Sequence, residues 1–194
     1  MKKIYCISSL FSVLLLMIVT QFFATPQAQA CTGITLRTAN NEVVTARTIE
    51  WAVDPLTTGY VVVPQGHWQQ SFTPDGQQNG KRFRARYGYV GLTVEQPEFV
   101  MDGINEVGLA AGLFYFPAYG EYEPYNETFR EDCISDFQLV AWILSSFSTI
   151  DEVIAALPSV HVTGIDPRSS TVHWRITEPG GRQVVLEVTG GQPH

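Results

Sequence analysis

"CTGITLRTANNEVVTARTIEW", residues 31 to 51, reads as a strand, a turn and a second strand, and the "AQA" that precedes it at 28 to 30 reads as a cleavage site. The strand-like runs Gly33 to Thr38 and Glu42 to Ile49 flank Ala39-Asn40-Asn41, and asparagine tolerates the left-handed backbone that tight hairpins need. The hairpin therefore starts at Cys31, directly after the expected cut. Upstream, Lys2 and Lys3 give a positive start, Ile7 to Phe23 an apolar stretch, and Ala28-Gln29-Ala30 the small residues a signal peptidase selects. Ser8, Ser9, Ser12, Thr20 and Gln21 interrupt that stretch, so a removed leader reads better than a membrane anchor. Residues 1 to 30 are expected to be a secretion signal peptide, with the mature chain periplasmic or secreted.

Taking 30 from 194 leaves 164 residues, enough for one domain with its own core and too few for two. The leader holds two lysines and no acid, so its removal takes the formal charge from −7 to −9. That balance argues against nucleic acid or an anionic membrane surface as partner. Cys31 and Cys133 remain, and in an oxidising compartment they are able to pair. A domain of this size needs no such staple, and a disulfide leaves the position of Cys31 at the cut unexplained.

Further strands are expected at Tyr60 to Val63, Arg82 to Val90 and Glu98 to Asp102. A Gly-rich apolar run follows at Val107 to Phe116, and then Thr171 to Thr177 and Gln183 to Val188 around the turn Glu178-Pro179-Gly180-Gly181. Between them Phe137, Val140, Ala141, Leu144 and Phe147 recur at helical spacing behind Ser135 or Asp136 as cap. A second helix is expected from Thr149 to Pro158, capped by Ser148 with Asp151 three residues on. Gln65 to Lys81, rich in Gln, Gly and Pro, reads as loop. Strands, then helices, then strands place the chain in the α+β class with layered sheets.

An N-terminal cysteine carries its own base. Its α-amine has an ordinary pKa of about 7.7 to 8.0 and its thiol one of about 8.5, so near neutrality the amine takes the thiol proton during attack. His67, His161, His173 and His194 show no pattern tying them to a nucleophile, and no metal-ligand spacing is present. No cofactor is expected.

The run 31 to 51, together with "DGINEVGLAAGLFYFP" at 102 to 117, resembles the choloylglycine hydrolase family of N-terminal nucleophile hydrolases, which includes bile salt hydrolases and penicillin V acylases. Three features coincide: Cys at the processed start, Arg-x-x-acid at 47 to 50, and Asn-Glu-x-Gly-Leu at 105 to 109. "TVHWRITEPGGRQVVLEV" at 171 to 188 resembles the strand pair that follows the helices in that family. The resemblance implies a four-layer αββα sandwich over residues 31 to 194 and hydrolysis of a linear amide in a small-molecule substrate.

It also implies residue roles. Cys31 is nucleophile and, through its amine, base; Arg47 is the cation beside the thiol; Glu50 stands where the family usually has aspartate holding the amino terminus. Tyr115 aligns with a position that is asparagine in most bile salt hydrolases and tyrosine in some penicillin V acylases, where its backbone N–H serves the oxyanion hole. Trp51 is a candidate wall for an aromatic acyl group. Asn105, Gly108 and Gly112 are assigned to turns and close packing.

An oxyanion asparagine and a second active-site arginine of the family are expected after Val188, where this chain ends in "TGGQPH". The sandwich is accordingly expected to be incomplete, with uncovered sheet faces that pair with another chain, a homo-oligomer included. Two other readings stand beside the amidase: a catalytically dead fragment of the family, and a binding lipoprotein lipidated at Cys31. The second leaves Arg47 and Glu50 unexplained and has Ala28 where a lipobox prefers leucine.

Overall fold

The computed structural model describes residues 31–50, 56–165 and 171–194. The expected leader and Trp51 lie outside the described residues. Among the described residues fourteen strands run in chain order: β1 (Gly33–Arg37), β2 (Val43–Arg47), β3 (Thr58–Val63), β4 (Trp68–Gln70), β5 (Arg82–Arg84), β6 (Tyr89–Val94), β7 (Gln96–Asn105), β8 (Ala110–Tyr115), β9 (Cys133–Ser135), β10 (His161–Thr163), β11 (Val172–Thr177), β12 (Gln183–Leu186), β13 (Val188–Thr189) and β14 (Gln192–Pro193). Two helices, α1 (Leu139–Ser146) and α2 (Ile150–Ala156), sit between β9 and β10. The α+β class expected from the sequence is the class observed.

The centre of the molecule is an antiparallel sheet of six strands in the order β12-β11-β8-β7-β6-β3. Strand alternation gives it two different faces. Ala111, Leu113, Val172, Trp174 and Ile176 point to one side and are buried. Over that side lies α1, whose Leu139 to Leu144 are all buried, as expected of a helix apolar on every side. Gly103 on β7 permits the approach, since a Cβ there would stand 2.7 Å from Leu144 Cδ1. Asn105, at the end of β7, donates to the carbonyls of Leu144 (3.1 Å) and Phe147 (2.8 Å), which ties the helix end to the sheet.

The opposite face is open over β3, β6 and β7. The register places Tyr60 beside Leu92, Val62 beside Val90, and Val90 beside Ile104, and all five side chains are exposed, Tyr60 at 77%. Over the other half of this face lies the β1–β2 hairpin, paired Gly33 with Arg47 through Arg37 with Val43, and turned at Asn41 with a positive φ of 64°. The hairpin expected from the sequence is present, and Asn41 carries its left-handed residue.

Four local expectations are corrected. Arg82 to Val90 is not one strand: β5 pairs with β4 in a separate hairpin, and β6 joins the central sheet. The expected loop 65 to 81 therefore contains β4, which the Gln-rich composition concealed. The cap of α2 is Thr149, whose hydroxyl accepts from the Glu152 N–H (3.2 Å), while the Glu152 carboxylate accepts from the Ser148 N–H (2.7 Å). The capping box is shifted by one residue and uses Glu152, the longer acid, instead of Asp151. Ser135 makes no side-chain cap; a 3₁₀ turn at Asp136–Gln138 leads into α1.

Asp136 is wholly buried there, its Oδ1 accepting from the N–H groups of Phe137 (2.9 Å) and Ile165 (3.2 Å). Burial lifts its pKa from 3.8 to about 7 against the pull of those bonds. A folded-state pKa raised in this way means the folded chain holds the proton longer than the unfolded one. The contribution to stability is therefore highest below about pH 4 and falls, by up to about 1.4 kcal/mol per pH unit, until about pH 7. Asp136→Asn, which keeps the Oδ1 acceptor, is expected to flatten that decline in urea unfolding measured from pH 4 to 8. Parallel curves for parent and variant would show that the carboxyl does not titrate with folding.

Candidate active site

Gly33 decides how the hairpin meets the sheet. A Cβ at this position would lie 2.7 Å from Arg175 Nη1 and 2.8 Å from Phe114 Cζ, so only glycine lets β1 pass this close. Directional bonds complete the docking: Arg175 donates to Ile34 O (3.4 Å), Thr35 Oγ1 to Gln183 Oε1 (2.9 Å) and Arg37 to Gly180 O (2.6 Å). The docking brings Cys31 to the edge of the covered half of the sheet, half-buried, with its thiol donating to Glu50 O at 3.7 Å. The Thr32 N–H donates to Thr48 Oγ1 (3.0 Å) and the Thr48 N–H to Thr32 O (2.9 Å), which holds the head of β1 against the end of β2.

Arg47, the last residue of β2, is turned into the sheet with its side chain only 6% exposed. It donates to Met101 O (3.0 Å) and Thr48 O (3.2 Å), stands 4.0 Å from Asp102 Oδ2, and lies over the Phe114 ring at 4.5 Å from its centroid. This is a fixed cation, unlike a surface lysine whose charge moves with its stem. Glu50 is exposed, its carboxylate accepting from the Thr48 hydroxyl (3.2 Å). Tyr115 ends β8 opposite Val172. Strand alternation sends its side chain to the face away from Phe114, so the ring nearest Arg47 is that of Phe114.

Three members of this cluster carried no functional assignment in the sequence: Asp102, Phe114 and Arg175. They share one face because the register sets Asp102 opposite Gly112 and Gly112 opposite Arg175, with Phe114 two residues further along β8. Burial pushes the Asp102 pKa up, while Arg47 and then Arg175 pull it down. The available signal was alternation: Asp102 follows buried Val100 and Met101, and Arg175 stands between buried Trp174 and Ile176. A charge set into such a run must face a site or solvent. Gly112 acts in close packing, as expected, because a Cβ there would come within 2.6 Å of Asp102 Oδ2.

Cys133 is buried and free, with its sulfur 3.0 Å from the Thr163 hydroxyl; Cys31 is free as well, so the alternative disulfide is absent. Among the described residues no group of three or more His, Cys, Asp or Glu is placed to hold a metal ion, and no helix is long and apolar enough to cross a membrane.

A free cysteine at the head of a hairpin docked on an antiparallel sheet, with helices on the far side of that sheet, is the arrangement of N-terminal nucleophile hydrolases. Residues 31–192 match the family described as linear amide C–N hydrolases, choloylglycine hydrolase family, and the chain belongs to that family. It is 25% identical over 166 residues to a bile salt hydrolase/transferase of Clostridium perfringens, covering 82% of this chain and 48% of that one. To the bile salt hydrolase/transferase of Bifidobacterium longum it is 29% identical over 163 residues, covering 81% and 49%. Penicillin V acylase from Agrobacterium tumefaciens superposes with a TM-score of 0.70 at 22% identity, covering 84% of this chain and 48% of that structure. A mutant of the conjugated bile acid hydrolase from Clostridium perfringens gives 0.68 at 22%, covering 85% and 50%. The chain thus spans about half the length of the relatives it matches, and its fold is that part of the four-layer αββα sandwich.

The packing at Gly33 is directly testable. Gly33→Ala is expected to destabilise the protein by about 1–3 kcal/mol, the usual cost of overfilling a packed contact, read as a lower urea midpoint. A change below about 0.3 kcal/mol would mean that β1 is not held against Phe114.

Proposed function

We propose that the chain is a cysteine amidase acting on linear amides, with Cys31 as nucleophile and the Cys31 α-amine, freed by removal of residues 1 to 30 during export, as base. The observation that carries this reading is the placement of Cys31 on a hairpin anchored beside the buried Arg47, in a chain that matches a family of amide hydrolases from residue 31 onward. The amine takes the thiol proton as sulfur attacks the carbonyl carbon. The carbon–nitrogen bond then breaks, the proton passes to the leaving nitrogen, and a thioester remains. Water, losing its proton to the same amine, releases the acid and restores the thiol.

Arg47 supplies a cation on the same hairpin that cannot drift, because two carbonyls and the Phe114 face hold it. Glu50 keeps the amino terminus in place from the loop after β2. The backbone N–H of Tyr115 is assigned to the oxyanion, and Trp51 to the wall of the acyl pocket. The candidate substrates in order are penicillin V, acyl homoserine lactones and conjugated bile acids. Names of the relatives support the first and last of these.

The test is acid release from penicillin V and from a glycine-conjugated bile acid by purified protein beginning at Cys31, with circular dichroism to confirm folding. Cys31→Ser is expected to fall below about 1% of parent turnover. Arg47→Ala is expected to lose about ten- to a hundredfold while staying folded, and Cys133→Ser to remain within about twofold. Loss of hydrolysis in Cys133→Ser equal to that in Cys31→Ser would remove Cys31 from its role. A folded parent that releases no acid from either amide would favour the inactive family member.

A further inference from the structure

Two guanidinium groups and one carboxylate meet over Phe114, and the two cations are unequally satisfied. Arg47 has Met101 O, Thr48 O and Asp102 as partners. Arg175 has one long hydrogen bond, 3.4 Å to Ile34 O, and lies 5.3 Å from the Phe114 centroid. Among the described residues Asp102, the shared carboxylate, sits within ion-pair distance of Arg47 only. Burial pushes the Arg175 pKa down, Asp102 opposes that shift and Arg47 adds to it, yet a guanidinium stays charged at any working pH. The cluster is one anion short.

The deficit lies next to the candidate nucleophile. Arg175 Nη1 touches the space a Gly33 Cβ would fill, and two residues of extended chain, about 7 Å, separate Gly33 from Cys31. Glu50, after β2, is engaged by the Thr48 hydroxyl. A flat fork of donors with spare capacity matches a carboxylate, which it can bind through two parallel bonds.

We propose that Arg175 is a specificity-determining residue that receives the carboxylate of a ligand whose reacting end lies at the Cys31 thiol. The proposal deepens the amidase reading by naming the charge its substrate carries and the residue that reads it. Strand alternation turns Arg175 to this face but does not mark it for this task. It follows from the register that sets Arg175, Gly112 and Asp102 in one row, and from the poor pairing of the outer cation in that row.

The experiment needs no turnover. Iodoacetate and iodoacetamide are nearly equal in size, and each loses iodide to the Cys31 thiolate, but only the first carries a carboxylate. Their alkylation rates at Cys31, read on the full chain by mass of the Cys31 peptide in low salt, give a ratio to compare with that of a cysteine tripeptide. The expected ratio is about fivefold or more above the tripeptide value, falling to within about twofold of it in Arg175→Met and remaining intermediate in Arg175→Lys. A purely structural role for Arg175 would slow or speed both reagents together, so an unchanged ratio in Arg175→Met overturns the proposal. Should that variant fail to fold, salt decides on the parent: raising it from about 10 mM to about 0.5 M is expected to cut the ratio at least in half, and a salt-independent ratio overturns the proposal. Anion preference without amide hydrolysis would sink the amidase reading alone; hydrolysis without anion preference would sink the role of Arg175 alone.

Discussion

One phenyl ring, that of Phe114, takes a guanidinium from the hairpin and another from the sheet, and the position of Cys31 follows from that contact. Apolar contact does little to hold the hairpin. Ile34, Leu36 and Val44 are each about half exposed or more, so apolar burial does not dock β1 and β2. Directional bonds do so instead: Arg47 to Met101 O, Arg175 to Ile34 O, Thr35 to Gln183 and Arg37 to Gly180 O. Such bonds add little net stability each but fix orientation, which is what the proposed role of Cys31 requires. A hairpin held by apolar contact alone would be free to slide.

The same cluster is costly to the fold. Asp102 and Arg47 are largely removed from water, and attraction between buried ions seldom repays that loss in full. The direction of the Asp102 shift says the same: burial outweighs the pull of both arginines. An apolar row across β7, β8 and β11 would pack more cheaply. Functional sites concentrate charges of this kind, and the glycine at 112 that makes room for the carboxylate belongs to the same arrangement.

Much of this was legible in the sequence because it is local. The hairpin, the apolar helix and the capping of α2 each follow from a few adjacent residues, and the differences there are confined to caps: a one-residue shift at α2 and a 3₁₀ turn in place of a Ser135 cap before α1. The nearness of Cys31 and Arg47 was legible because a single hairpin carries both. Arg175 was not, since its relation to Arg47 passes through four strands and depends on the register of β7, β8 and β11. No local pattern sets that register; it comes from which faces are buried. The β4–β5 hairpin was hidden for another reason. Its amide side chains bond inward, Gln69 to Ser145 and Tyr89, so a polar composition there signals structure instead of loop.

The open face joins these points. Its charged half holds Arg47, Asp102 and Arg175, while its apolar half presents Tyr60, Val62, Val90, Leu92 and Ile104. The two halves are one continuous surface, because β6 and β7 carry residues of both: Leu92 lies directly opposite Asp102. Any layer that covers the apolar half to remove it from water therefore also lowers the dielectric around the arginines. At about 4 Å a pair of charges interacts several times more strongly in a protein interior than in water. Covering this face and strengthening the field of the arginines are then a single physical event, so the electrostatics of this cluster depend on the apolar surface beside it.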